Sequence, residues 1–318
     1  MNEKEQDKLQ QMPTANEVVG NAVNAESKGE KTPEPIDEIS SDKKEERVTK
    51  RGENGGRLFP TLTDFFATVG VLVVSLIVAS FVMLFLMRGE GVDAPTPQIT
   101  FITYVLQFLP VVAFVMWLRH KAGRDSGIHL GVRRATLPML LWGVVLLLAS
   151  GVVLEPLLEL FPTESYEAVK STIGLGGWAI LSTVVAAPLL EETLFRGLIF
   201  ESCRERLGKG GELLVSAFLF GVIHVVPVQV VNAFVVGLIL GYVYLRTRSL
   251  FAVIVLHAIN NAIAYVTMAF FGEGGEMTLS DMLPTKWLYW TIYGLSATLF
   301  LYAMFRLWRS LRDDTELE

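Results

Sequence analysis

From about residue 65 onward the chain is built of long uncharged blocks, not of the close polar–apolar alternation that a helix or strand shows at a water interface. Stretches free of Asp, Glu, Lys and Arg cover 65–87, 94–118, 135–154, 171–190, 213–245, 249–272 and 287–305. A bilayer core about 30 Å thick takes roughly 20 apolar residues of helix, each rising about 1.5 Å. Six of the blocks therefore predict one span apiece. The block 213–245 has 33 residues, too many for one span, and Pro227 and Gln229 near its middle predict a turn that divides it. The pattern predicts an all-α, polytopic membrane protein with about eight transmembrane helices. A soluble bundle of buried helices is the alternative, and it has no need of uncharged runs this long.

Residues 1–58 are another kind of polymer, rich in Lys, Glu, Asp, Asn and Gln. Such a composition cannot bury enough apolar surface to offset the entropy of ordering, so a disordered cytoplasmic tail is expected there. The membrane domain is expected over 59–310, and a short cytoplasmic tail over 311–318. No apolar segment falls within the first 15–30 residues, where a signal peptide needs one, so the first helix is expected to be retained as a span.

Positive charge sets the orientation. Lys50, Arg51 and Arg57 precede the first block, Arg119, Lys121, Arg124, Arg133 and Arg134 follow the second, and Arg204, Arg206 and Lys209 follow the fourth. Arg246 and Arg248 separate the two helices at the end of 213–245 and the start of 249–272, and Arg306, Arg309 and Arg312 follow the last block. The alternate loops are acidic, with Glu90 and Asp93, Glu164 and Glu167, and Glu273, Glu276 and Asp281. This alternation supports eight spans in a cell membrane, with both termini cytoplasmic. The net charge of −6 adds little, since it resides largely in tails and loops. A nucleic-acid partner is not expected. A single cysteine, Cys203, excludes an internal disulfide framework and a cysteine-rich metal site.

Ionisable groups within apolar spans are costly and point to function. They occur in three places: Glu191-Glu192-Thr193-Leu194-Phe195-Arg196, Phe220-Gly221-Val222-Ile223-His224, and His257-Ala258-Ile259-Asn260-Asn261. With Arg204, Glu212 and Arg248 as markers of the cytoplasmic surface, Glu191, His224, His257 and Asn261 lie 13, 12, 9 and 13 positions inward. These separations correspond to depths of roughly 20, 18, 14 and 20 Å. Residues from three helices are thus expected in one layer, open to a cytoplasmic vestibule.

The spacings carry chemistry. Glu192 and Arg196 are i,i+4 and predict a structural ion pair, while Glu191, rotated by about 100°, faces a different cavity. His257 and Asn261 share a helix face. A free carboxylate with two histidines and an asparagine suits amide hydrolysis: Glu191 as general base, His224 sharing a proton with the water or the leaving amine, His257 and Asn261 donating to an oxyanion. The same Glu191, His224 and His257 also match the ligand set of a catalytic zinc or other divalent metal site. The sequence leaves both arrangements open. Asn232 and Tyr244 read as packing residues, Glu155 as an interfacial one, and Asn260 as pointing away from Asn261.

In this order, Glu191-Glu192…Arg196, Phe220…His224 and His257…Asn261 resemble the EExxxR, FxxxH and HxxxN-like motifs of the CPBP family (CAAX protease and bacteriocin-processing, or Abi). That family includes type II CAAX prenyl endopeptidases. The resemblance covers about 175–270. It implies an eight-helix fold with a conical cavity open to the cytoplasm, and a hydrolase often classed as a metalloprotease. It also implies that Glu191 and His224 activate water and that His257 and Asn261 form the oxyanion hole. The partners it implies are the bilayer and a peptide or membrane-protein substrate that can be lipidated. A non-catalytic scaffold or immunity-type protein, and a proton-coupled transporter, are the alternatives.

Overall fold

The computed structural model describes residues 60–123, 130–271 and 279–313. The predicted N-terminal tail and the end of the C-terminal one lie outside the described residues. Nine helices are named here: α1 (Leu62–Glu90), α2 (Pro97–Lys121), α3 (Leu137–Leu158) and α4 (Thr163–Ile173), then α5 (Gly177–Arg204), α6 (Gly210–Val222), α7 (Pro227–Thr247), α8 (Leu250–Phe271) and α9 (Lys286–Asp313). Among the described residues, seven of them (all but α4 and α6) are long and apolar enough to cross a bilayer. The protein is a multi-pass membrane protein, and α6, about 20 Å long by its residue count, brings the apolar helices to the expected eight.

Local chemistry sets where the helices start and stop. Thr61 caps α1: its hydroxyl accepts from the Asp64 N–H at 3.1 Å, and Asp64 takes the Thr61 N–H at 2.8 Å, a reciprocal capping box. Gly91 ends the helix at φ 67°, in the left-handed region. Pro97 opens α2 behind Thr96, and Pro227 opens α7, where a missing N–H costs nothing. The uncharged block 213–245 is divided at 223–226, directly before Pro227, as its length requires.

α6 packs chiefly on α7, α3 on α9, and α1 on α2. One apolar core joins α3, α7, α8 and α9 around Leu146, Leu240, Val253, Leu256 and Leu307. A second joins α2, α5 and α6 around Phe108, Val112, Phe195, Leu198 and Phe220. α1 contributes little to either: Phe66, Val74, Phe81 and Phe85 are exposed, which suits a helix whose outer surface meets lipid tails.

The three depth markers meet in space. Arg248 pairs with Glu201 at 2.8 Å and with the fully buried Glu212 at 3.4 Å, and Arg204 approaches Glu201 to 3.9 Å. Tyr244, read from sequence as packing, does pack on Phe200, and it also donates its hydroxyl to Glu201 at 3.0 Å. Glu155 is not a bare interfacial residue: its carboxylate accepts the Leu279 N–H, tying α3 to the start of the short turn Leu279–Met282.

Candidate active site

The site begins with an irregular helix. α5 is α-helical over Gly177–Ile180 and Ala187–Glu192, but its hydrogen bonds widen to the five-residue π register over Leu181–Ala186 and again over Thr193–Phe200. π turns inside a long helix occur often at functional sites, because they rotate the following side chains and release backbone carbonyls. Here they bracket Glu191 and Glu192.

Glu192 and Arg196 form the predicted pair, Nη1 to Oε1 at 2.8 Å, with both side chains fully buried. Two further contacts lock the guanidinium. Its Nη2 donates to the Gly237 carbonyl on α7 at 3.1 Å, and its plane lies 4.4 Å from the centre of the Phe220 ring. The helices approach closely at Gly237, where a Cβ would sit 3.2 Å from both Ala217 Cα and Phe220 Cδ1 and those neighbours would have to give by a few tenths of an ångström. The same Glu192 oxygen accepts from His257 Nδ1 at 2.8 Å. A carboxylate only accepts, so His257 carries its proton on Nδ1 and turns Nε2 the other way.

Nε2 of His257 faces Glu191 Oε2 at 3.9 Å, too far for a hydrogen bond. Glu191 is buried, its Oε1 accepts the Tyr104 hydroxyl from α2, and its Oε2 has no hydrogen-bond partner among the described residues. Two adjacent glutamates on one helix thus have separate surroundings, as their rotation about the axis predicts. Glu192 is held by Arg196 and His257, and Glu191 keeps one oxygen open.

Phe220 joins the third element. Its ring stands edge-on to His257 at 5.7 Å and to His224 at 5.2 Å. His224 does not lie within a helix, as the sequence pattern suggests. It sits in the turn just past α6, where Pro227 forces the chain to start a new helix. Its Nδ1 meets the Phe220 carbonyl at 2.8 Å, which makes Nδ1 the donor and leaves Nε2 as a bare acceptor. The turn is tight: Val226 N–H bonds back to the His224 carbonyl at 2.6 Å, and Val225 between them has φ 62°. A β-branched residue in that region is strained by about 1–3 kcal/mol. The strain sits directly beside His224.

Asn261 donates from Nδ2 to the Thr183 carbonyl at 2.9 Å, binding α8 to the first π turn of α5. Asn260, expected to point away, instead donates to Asn261 Oδ1 at 3.3 Å. The residues connect through a chain of contacts: Tyr104–Glu191 facing His257, His257–Glu192–Arg196, Phe220 against both histidines, and Asn261 on α5 at Thr183, eight residues before Glu191.

Three of these features are absent from the sequence reading. Tyr104 is one aromatic in an apolar block, with no spacing to mark it. The Glu192–His257 bond joins residues 65 positions apart. The Thr183 carbonyl is backbone. A metal centre fits less well. Among the described residues no three His, Cys, Asp or Glu side chains converge as a ligand group, so Glu191, His224 and His257 are not assembled for zinc or another divalent ion.

Comparison with known proteins bears on this same region. Residues 174–263 match the family model described as Type II CAAX prenyl endopeptidase Rce1-like. The chain is 24% identical over 104 residues to "Putative membrane peptidase YdiL" of Bacillus subtilis (strain 168). That alignment spans 33% of this chain and 43% of the relative, so less than half of the relative's length is covered. No solved structure matches. The matched residues 174–263 contain Glu191, Glu192, Arg196, Phe220, His224, His257 and Asn261, so the resemblance to the CPBP proteases read from the motifs is borne out there. Tyr104 lies outside it.

Proposed function

We propose that this chain, similar over residues 174–263 to Rce1-like endopeptidases, is an intramembrane endopeptidase. In this reading it hydrolyses a peptide bond near the cytoplasmic membrane surface. The observation that carries the reading is Glu191: a buried carboxylate with one oxygen held by Tyr104 and the other unpartnered, facing a histidine.

The roles follow from the donors and acceptors. Glu191 Oε2 takes a proton from the attacking water. His224 Nε2, a bare acceptor, orients that water through its other O–H, takes this second proton as the C–N bond breaks and passes it to the leaving amine, while Glu191 gives up its own proton as the product leaves. The substrate carbonyl becomes an oxyanion, and His257 Nε2 and Asn261 Nδ2 are the groups available to it. His257 must be an imidazolium to donate from Nε2, because Nδ1 is already spent on Glu192. Each well-placed oxyanion donor contributes about 3–4 kcal/mol to the barrier reduction. No step requires a metal.

The substrate class in this reading is a peptide or membrane protein, which can be lipidated. The test is cleavage of a quenched-fluorescent, C-terminally lipidated peptide library by the purified full chain, beside Glu191→Gln and His224→Ala, with and without a chelator. Cleavage lost in both variants and untouched by the chelator is expected. Cleavage that survives both substitutions would place the active site elsewhere.

A further inference from the structure

The widened turn ahead of Glu191 leaves one backbone carbonyl without a helical donor. The helix takes the π register over Leu181–Ala186, and its last five-residue bond there runs from Ala187 N–H to the Ser182 carbonyl. In an ordinary α-helix that N–H would serve Thr183. In the π register Thr183 would instead be served by residue 188, and residue 188 is proline, which has no N–H. Thr183 loses its i+4 donor to the wide register and its i+5 donor to the proline. An unpaired carbonyl away from water carries a desolvation penalty, so a donor from elsewhere is favoured. Asn261 Nδ2 on α8 is that donor, at 2.9 Å.

This contact also fixes how Asn261 is presented. A carbonyl can face only the NH2 end of an amide, so the bond to Thr183 decides which end of the side chain is which. The Oδ1 end accepts from Asn260 Nδ2 at 3.3 Å. One N–H of Asn261 is used on Thr183, its oxygen is used on Asn260, and one N–H is left with its direction set. We infer that Pro188 is a positioning residue: by emptying the Thr183 carbonyl of main-chain donors, it holds Asn261 with that remaining N–H aimed for an oxyanion. A proline that served only packing, or only the start of Ala187–Glu192, would leave Asn261 indifferent to it. The catalytic half of this inference rests on the protease reading; the coupling of Pro188 to Asn261 does not.

The experiment is a double-mutant cycle on the full chain in detergent, read by thermal midpoint and then by kinetics. With Pro188 present, Asn261→Ala strands the Thr183 carbonyl and lowers the midpoint. In Pro188→Ala the new N–H can serve Thr183, so Asn261→Ala shifts the midpoint little, and the two changes are not additive. Pro188→Ser restores the same N–H by a second route should Pro188→Ala yield no folded protein. On a peptide that the wild type cleaves, either Pro188 variant is expected to lower kcat at least about tenfold with KM nearly unchanged. Additive midpoints would overturn the inference, and so would a coupled cycle with wild-type kcat. Failure of the protease reading shows differently: the wild type cleaves nothing, while the midpoints still decide the coupling.

Discussion

Arg196 has no water to fall back on. It is fully buried, with one nitrogen on Glu192, another on the Gly237 carbonyl, and its plane over Phe220. Removing one partner of a buried ion pair strands the other charge, at a cost of about 3–5 kcal/mol. Arg196→Ala is therefore expected to lower the thermal midpoint sharply. Arg196→Lys should not restore it, since an ammonium cannot reach two acceptors as a planar fork does. Full rescue by lysine would mean that charge alone matters there. Tyr104→Phe is expected to behave differently. It keeps the ring stacked on Phe108 at 4.7 Å and loses only the hydroxyl that holds Glu191 Oε1. A hydrogen bond to a charged group contributes about 1.5–3 kcal/mol to stability, so the midpoint should drop by less than in Arg196→Ala, while kcat should fall about tenfold or more because Glu191 is no longer held in place. Unchanged kcat would remove Tyr104 from the mechanism. Glu191, Glu192, Arg196, His224 and His257 could be picked out in the sequence because ionisable groups in apolar blocks stand out, and Asn261 because it shares a helix face with His257. Tyr104 was not, because a tyrosine in a span is ordinary until a partner on another helix is known.

At the scale of elements, α6 and α7 show what sequence length can predict and what it cannot. The 33 residues of 213–245 demand a turn and Pro227 places it, so the division was readable. The position of His224 just beyond α6 was not, because FxxxH at i,i+4 spacing looks the same whether the helix ends before or after the histidine. The π turns of α5 were hidden for the same reason, since register within a helix leaves no mark in apolar periodicity. The α6–α7 contact is close, and a Cβ at Gly237 would press on Ala217 and Phe220 at 3.2 Å. Gly237→Ala is expected to cost about 1–3 kcal/mol as an overpacking change, and to disturb the Phe220 ring that both histidines touch. Unfolding in detergent checks the first effect. A stability equal to wild type would show that the two helices can separate freely.

For the whole molecule, the apolar blocks carried the helix count, and the loop charges carried an expected orientation with both termini cytoplasmic. Labelling tests that orientation. With Cys203, the only native cysteine, replaced by serine, single cysteines at Asp93 and His120 should report opposite sides of the membrane. An impermeant maleimide on intact cells is expected to modify Asp93→Cys and to spare His120→Cys. The reverse pattern would invert the protein and turn the predicted vestibule outward.

The central claim is that Glu191, with its one open oxygen, activates the water that cleaves the peptide. The most direct measurement is the cleavage rate of wild type and Glu191→Gln, reconstituted side by side in liposomes on the same peptide. The two side chains match in size, and Gln can still accept from Tyr104, so folding and binding should persist. The predicted result is a rate reduced to background in a variant whose melting curve matches wild type. A glutamine variant that cleaves at a comparable rate would contradict the account.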